Sequence, residues 1–131
     1  MNKSYKGLFL WIILFMAGFI PFMMLDINGA LITRFTMNYT CIMIAALAYS
    51  IYKFDRVYWY NGVLFEDAEK AGRERRDAYA LAHFEKFKKL VILFAVYSTI
   101  AHILKFTIFI DVLVLVFATI ATAISTMKIE L

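Results

Sequence analysis

"LVILFAVYSTIAHILKFTIFIDVLVLVFATIATAISTM", residues 90–127, runs almost unbroken in hydrocarbon side chains, and its reading decides the fold. As one helix it would far exceed the about 20 residues that cross a bilayer. Its two interior charges, Lys105 and Asp111, would then sit at the hydrocarbon centre, where each costs roughly 2.5–3.5 kcal/mol on insertion scales. Split at those charges, the stretch makes two helices joined by a tight turn at a membrane surface. Lys105 then snorkels toward water, and Asp111 caps the N-terminus of the second helix. The hairpin is the lower-energy solution, with spans expected at about 90–107 and 112–127.

Toward the N-terminus the same length criterion selects two more spans, at about 7–25 and about 32–52. The 131 residues are 63% hydrophobic with a mean hydropathy of +0.73, more apolar than the core of a soluble domain of this size requires. The opening "MNKSYKGLFLWIILFMAGFIPFMM" has the basic lead of a signal peptide. Its apolar run exceeds the ~7–15 residues of an h-region and lacks an A-x-A cleavage site, so it reads as a retained anchor. Pro21, the only proline, is expected to kink or end the first helix. Cys41, the only cysteine, leaves no intrachain disulfide and no multi-cysteine metal site.

The charges are segregated. Residues 53–89 hold nine of the fourteen Lys/Arg and seven of the ten Asp/Glu. The N-terminal Lys3 and Lys6, this central segment and Lys128 fall on one side, with only Arg34 and Lys105 near the span ends on the other. Positive-inside bias places the N-terminus, central segment and C-terminus in the cytoplasm and the chain in the cell membrane. Tyr5, Trp11, Tyr52, Tyr58, Trp59 and Tyr60 fall where an interfacial aromatic belt is expected. The expected fold is thus an all-α integral membrane protein, a single membrane domain over 1–131. Its four transmembrane helices form two helical hairpins joined by a charged, partly helical cytoplasmic segment.

Within that segment, Asn61-Gly62 between "VYWY" and "VLF" is a strong hairpin signal. A turn followed by a helix is slightly favoured, because an isolated hairpin with such short arms is marginal in water. From Phe65 onward Glu66/Lys70, Glu69/Arg73, Lys70/Glu74 and Arg73/Asp77 stand at i,i+4 spacing. Gly72 either ends a short helix or interrupts a long one. The basic groups Arg73, Arg75, Arg76, Lys86, Lys88 and Lys89 are candidates for contact with a protein partner or with anionic lipid headgroups. Seven interleaved acids exclude the uncompensated basic stripe of a nucleic-acid binder, so the run reads first as a solvated face that fixes topology.

Catalytic chemistry has no support. There is no G-x-S-x-G, no Gly-rich phosphate loop and no H-E-x-x-H, and His83 among scattered carboxylates lacks metal-ligand spacing. No cofactor is implied and no enzyme is expected. Ala95, Ser98, Thr99 and His102 share one stripe of the third span, and Ala118 to Thr126 make much of the fourth small and weakly polar, the usual means of close helix packing. The alternative is a transport or ligand vestibule formed by His102, Asp26, Arg34, Asn38, Lys105 and Asp111, since ionisable groups inside membranes are functional candidates by default. Arg34 has two available ion-pair partners, Asp26 and Asp111.

In size and topology four such spans are similar to the small multidrug-resistance exporters and the small fluoride channels. The exporters carry an essential acid in the first span, and "GLFLWIILFMAGFIPFMML" has none. Two functions are expected as rivals. One is a non-enzymatic accessory, regulatory or immunity-type subunit acting by helix packing and its cytoplasmic segment, with itself or another membrane protein as partner. The other is a small oligomeric transporter or channel.

Overall fold

A computed structural model describes residues 3–131. The described residues are helical or irregular, with no strand among them. α1 spans Lys6–Ala17 and is followed by a single turn, α2, Ile20–Met23, with Pro21 in its first turn. Pro21 has no N–H to give the carbonyl of Ala17, four residues back, and α1 ends there. Asn28 then opens α3, Gly29–Lys53, its side-chain oxygen accepting from the Ala30 amide at 2.9 Å.

α3 closes with a left-handed residue, Asp55 at φ 54°. The Arg56 amide bonds the Ile51 carbonyl at 2.9 Å, the 6→1 bond of a Schellman motif. A 3-10 turn at Val57–Trp59 leads to a turn over Tyr60–Val63, where only Gly62, at φ 88°, is left-handed. A type I′ hairpin needs positive φ at Asn61 too, so the segment turns into a helix instead of a strand. That helix, α4, covers Phe65–Lys70, and Gly72 at φ 77°, ψ 159° separates it from α5, Arg73–Ile103. The break at Gly72 cancels the expected Glu69/Arg73 and Lys70/Glu74 pairings. Of the four i,i+4 pairs only Arg73–Asp77 is within ion-pair distance, at 3.7 Å and largely exposed.

α5 ends in a second Schellman motif, with Lys105 left-handed at φ 55° and the Phe106 amide on the Ala101 carbonyl at 2.9 Å. α6, Ile108–Thr126, follows with Thr107 at the N-cap. Two boundaries therefore differ from expectation. The third helix stops at Ile103 because the turn begins at Leu104, and the fourth starts four residues earlier than expected. Asp111 is consequently not a cap but the fourth residue of α6, completely buried.

α3, α5 and α6 form the packed body. Met37 and Cys41 of α3 meet Leu90 and Phe94 of α5, and Val114, Leu115 and Ala118 of α6 close over them. At one end Ile51, Val57, Ala68, Tyr79 and Ala80 make a second core, a cap that also takes in Ile129 and Leu131 of the C-terminal tail. The N-terminal segment reaches the same end, where Ser4 exchanges hydrogen bonds with the Tyr58 hydroxyl and accepts from the Trp59 indole at 3.0 Å. α1 buries no residue; it leans on α3 through Trp11 Nε1 donating to the Met43 carbonyl at 3.0 Å and, with the turn that follows it, through an aromatic comb of Phe15, Phe19 and Phe22 around Tyr39, while Gly7 lies against Trp59.

Among the described residues three helical stretches are long and apolar enough to cross a membrane: 6–23, 29–53 and 108–126. Their outer faces suit that medium, with Phe9, Ile13, Met16, Phe109 and Phe117 each more than 60% exposed. α5 is longer than any of them, but Lys86, Lys88 and Lys89 leave its uncharged portion only from Leu90 onward.

Candidate functional site

The most concentrated polar chemistry lies at the end of the body opposite the cap. Arg34, in the second turn of α3, points into the angle between α5 and α6 and is 5% exposed. Its Nε donates to Asp111 Oδ2 at 2.8 Å, and a terminal nitrogen donates to the Phe106 carbonyl at 2.7 Å. The other terminal nitrogen faces His102 Nδ1 at 3.5 Å. A guanidinium only donates, so Nδ1 can face it only as an acceptor. Asp111 spends its second oxygen on the Tyr97 hydroxyl, which donates at 2.8 Å. One turn further along α3, Asn38 donates to the Arg34 carbonyl at 2.8 Å and to Ser98 Oγ at 2.9 Å.

This arrangement ties three helices and the α5–α6 turn to one guanidinium. Phe106 is presented as an acceptor by the Schellman motif, so the strained Lys105 backbone has a positional reason even though the Lys105 side chain is exposed and outside the cluster. Asp26 is also exposed, in the loop between α2 and α3, and makes no ion pair among the described residues. Four of the six vestibule candidates, Arg34, Asn38, His102 and Asp111, come together; Asp26 and Lys105 do not. Tyr97 and the Phe106 carbonyl are members that sequence reasoning missed.

Beside the cluster, α3 and α5 leave an open groove of about 370 Å³ lined by Leu31, Phe35 and Ala95 and by the polar Asn38, Ser98 and Thr99. His102 stands exposed on its lip. Arg34 also borders the groove, though it is almost fully buried, and Asp111 is enclosed.

The six basic candidates of the central segment divide sharply. Arg76 turns inward: its guanidinium grips both carboxylate oxygens of Asp55 at 2.7 Å each and donates to the Ala68 carbonyl at 3.0 Å. The Arg76 bond holds the Asp55 carboxyl below the usual carboxylate range, and Asp55 in turn raises Arg76. Arg76 is thus committed to joining α3, α4 and α5. Arg75 donates to the Leu131 main-chain oxygen at 2.7 Å, Arg73 pairs with Asp77, and Lys88 with Glu85 at 2.6 Å. Lys86 and Lys89 have no ion-pair partner among the described residues.

His83, considered as a metal ligand, is buried between Tyr60 and Tyr79, with ring centroids at 4.4 and 4.3 Å, and its Nδ1 donates to the Tyr79 carbonyl at 2.9 Å. Burial pushes its imidazole below the usual histidine value. Among the described residues no three His, Cys, Asp or Glu side chains gather as a metal site. No known protein family, curated protein or solved structure matches the chain.

Proposed function

We propose that this chain is a four-span protein of the cell membrane, with both termini and residues 53–89 in the cytoplasm. It acts without catalysis, as an accessory, regulatory or immunity-type subunit. The fourth span is α5: its 31 residues extend about 46 Å at 1.5 Å per residue, enough for a cytoplasmic stem plus a crossing. Lys86, Lys88 and Lys89 snorkel at the inner surface. The gathering of the N-terminal segment, the cap and the C-terminal tail at one end supports an even number of crossings, and the lysine-rich end supports its cytoplasmic orientation.

The observation that carries the subunit reading is the α3–α5 groove. Its ionised neighbours are satisfied internally, Arg34 by three acceptors and Asp111 by two donors, so they hold the bundle instead of waiting for a ligand. What remains open is a shallow, mainly apolar trough with His102 and Thr99 exposed at its edge. Hydrocarbon solvates such a lip poorly, whereas another transmembrane helix carrying a small or polar residue satisfies it.

A photoreactive side chain at Phe35 or Thr99 is expected to cross-link to a protein, either a second copy or a different membrane protein; cross-linking to lipid alone contradicts the reading. The rival, a small oligomeric transporter or channel, uses the same groove as a vestibule. It is tested by proton, halide and cationic-dye flux in proteoliposomes. Flux indistinguishable from empty vesicles is expected, and flux that His102→Ala abolishes would replace the subunit reading with transport.

A further inference from the structure

A larger groove runs between α5 and α6 on the side of the body nearer the cap, with a volume of about 500 Å³. Its floor is Leu90 and Phe94, and its deep end is closed by Tyr97, whose hydroxyl is already given to Asp111. The α6 wall is made of Ala118, Ala121, Thr122 and Ser125, small residues at i, i+3, i+4 and i+7 that leave the space open. The two hydroxyls on that wall are spent on their own helix, Thr122 donating to the Ala118 carbonyl at 2.8 Å and Ser125 to the Thr122 carbonyl at 2.7 Å. The trough therefore offers an apolar lining and asks for no polar partner along its length.

At the mouth the chemistry reverses. Lys86 and Lys89 border the opening, both exposed and without a carboxylate partner among the described residues. The nearest acid in the chain, Glu85, is engaged by Lys88 at 2.6 Å. From Lys89 to Tyr97 the trough follows eight residues of α5, about 12 Å. A cationic mouth on an apolar trough is complementary to one class of molecule, an anion carrying a hydrocarbon tail.

We infer that this groove is a binding site for an anionic phospholipid, its phosphate between Lys86 and Lys89 and one acyl chain lying along Leu90, Phe94 and Tyr97. The inference rests on α5 lying in the membrane beside α6, as the four-span reading holds. It assigns Lys86 and Lys89 a different task from Arg75 and Arg76, which serve the cap.

Native mass spectrometry of the full chain released from detergent, with phosphatidylglycerol or phosphatidylcholine added in turn, tests it. The wild type is expected to retain phosphatidylglycerol about thirtyfold better, the equivalent of about 1 kcal/mol for each of two lysines at 1.4 kcal/mol per tenfold. Lys86→Gln/Lys89→Gln, at exposed unpaired positions, is expected to keep wild-type circular dichroism and retain both lipids equally. Ala121→Trp, which fills the trough, is expected to lower retention of both. Soluble glycerol phosphate is expected not to displace the lipid, which separates a lipid site from a free-phosphate site. Equal retention of the two lipids by the wild type, a preference that survives the lysine changes, or a groove occupied by a second copy in a lipid-free dimer would overturn the inference. Failure of α5 to cross the membrane is read separately, by residue accessibility in sealed cells.

Discussion

Arg34 shows why a single guanidinium can organise a bundle. Its planar fork reaches acceptors on α5, on α6 and on the turn between them, a geometry that the point charge of a lysine does not reproduce. Burial of both partners makes the pair asymmetric in its energetics. Removing one charge strands the other, so Arg34→Met or Asp111→Leu alone is expected to lower stability in mild detergent by about 3–5 kcal/mol. The double variant is expected to recover part of that loss, because no buried charge is then stranded, although the Tyr97 hydroxyl and the Phe106 carbonyl lose their partners; thermal unfolding of the three variants measures it, and additive losses would mean that the pair is not coupled. The choice of Asp111 over Asp26 was open from spacing alone. Yet Tyr97 and Asp111 are equidistant from Leu104, so a hairpin turning there brings them face to face, and the network was partly legible by counting outward from the turn.

His83 is a second residue whose behaviour follows from burial. Its folded value lies below the ordinary histidine value, so between the two the unfolded chain binds a proton that the folded one refuses, and stability falls as pH drops through about 6.5. Asp55 acts in the same direction at lower pH, its depressed carboxyl losing its contribution as pH falls below 3.8. Hydrogen-exchange protection in the cap, taken relative to the intrinsic exchange rate at each pH, is expected to fall from pH 7.5 to pH 5.5 and to lose that dependence in His83→Phe, values chosen about one unit either side of the unperturbed histidine. Unchanged dependence in the variant would remove His83 from the account. Nothing in the sequence announced the Asp55–Arg76 clasp, since the partners stand 21 residues apart across an irregular segment.

At the level of elements, two glycines set boundaries that hydropathy blurs. Gly72 holds φ 77° and ψ 159°, backbone that a Cβ makes unfavourable, so Gly72→Ala is expected to cost about 1–3 kcal/mol in cap stability. Denaturant titration followed by the cap tryptophan Trp59, in a Trp11→Phe background, reads it; a neutral result would mean that α4 and α5 can merge. Of the i,i+4 charge pairs, Glu69/Arg73 and Lys70/Glu74 straddle Gly72, where the sequence left a helix end and an interrupted helix both open, and the break separates them. Gly18 lies under the Tyr39 ring, and a side chain there collides with the hydroxyl that bonds the Leu14 and Phe15 carbonyls at 3.1 Å. Gly18→Val is expected to release α1, lowering the yield of a bifunctional cross-link between Trp11→Cys and Met43→Cys while leaving the α3–α5–α6 body folded. Pro21 was readable as a helix stop. The companion role of Gly18 was not, because it depends on a residue 21 positions away on another helix.

For the whole molecule, hydropathy foretold helices; four spans were expected, and among the described residues three stretches are long and apolar enough to cross. Hydropathy did not foretell that α1 would stay peripheral while the other three long helices pack together, because α1 is apolar on every side and its sequence names no packing face. The central claim is that α5 crosses the membrane and leaves the cap and both termini on one side. Single cysteines in a Cys41→Ala background, placed at Asp26, Glu66, Lys105 and Lys128 and treated with a membrane-impermeant maleimide on sealed cells, test it most directly. Asp26→Cys and Lys105→Cys are expected to label from outside, and Glu66→Cys and Lys128→Cys only after the membrane is opened. Labelling of Lys105→Cys from the same side as Glu66→Cys would show that α5 does not cross.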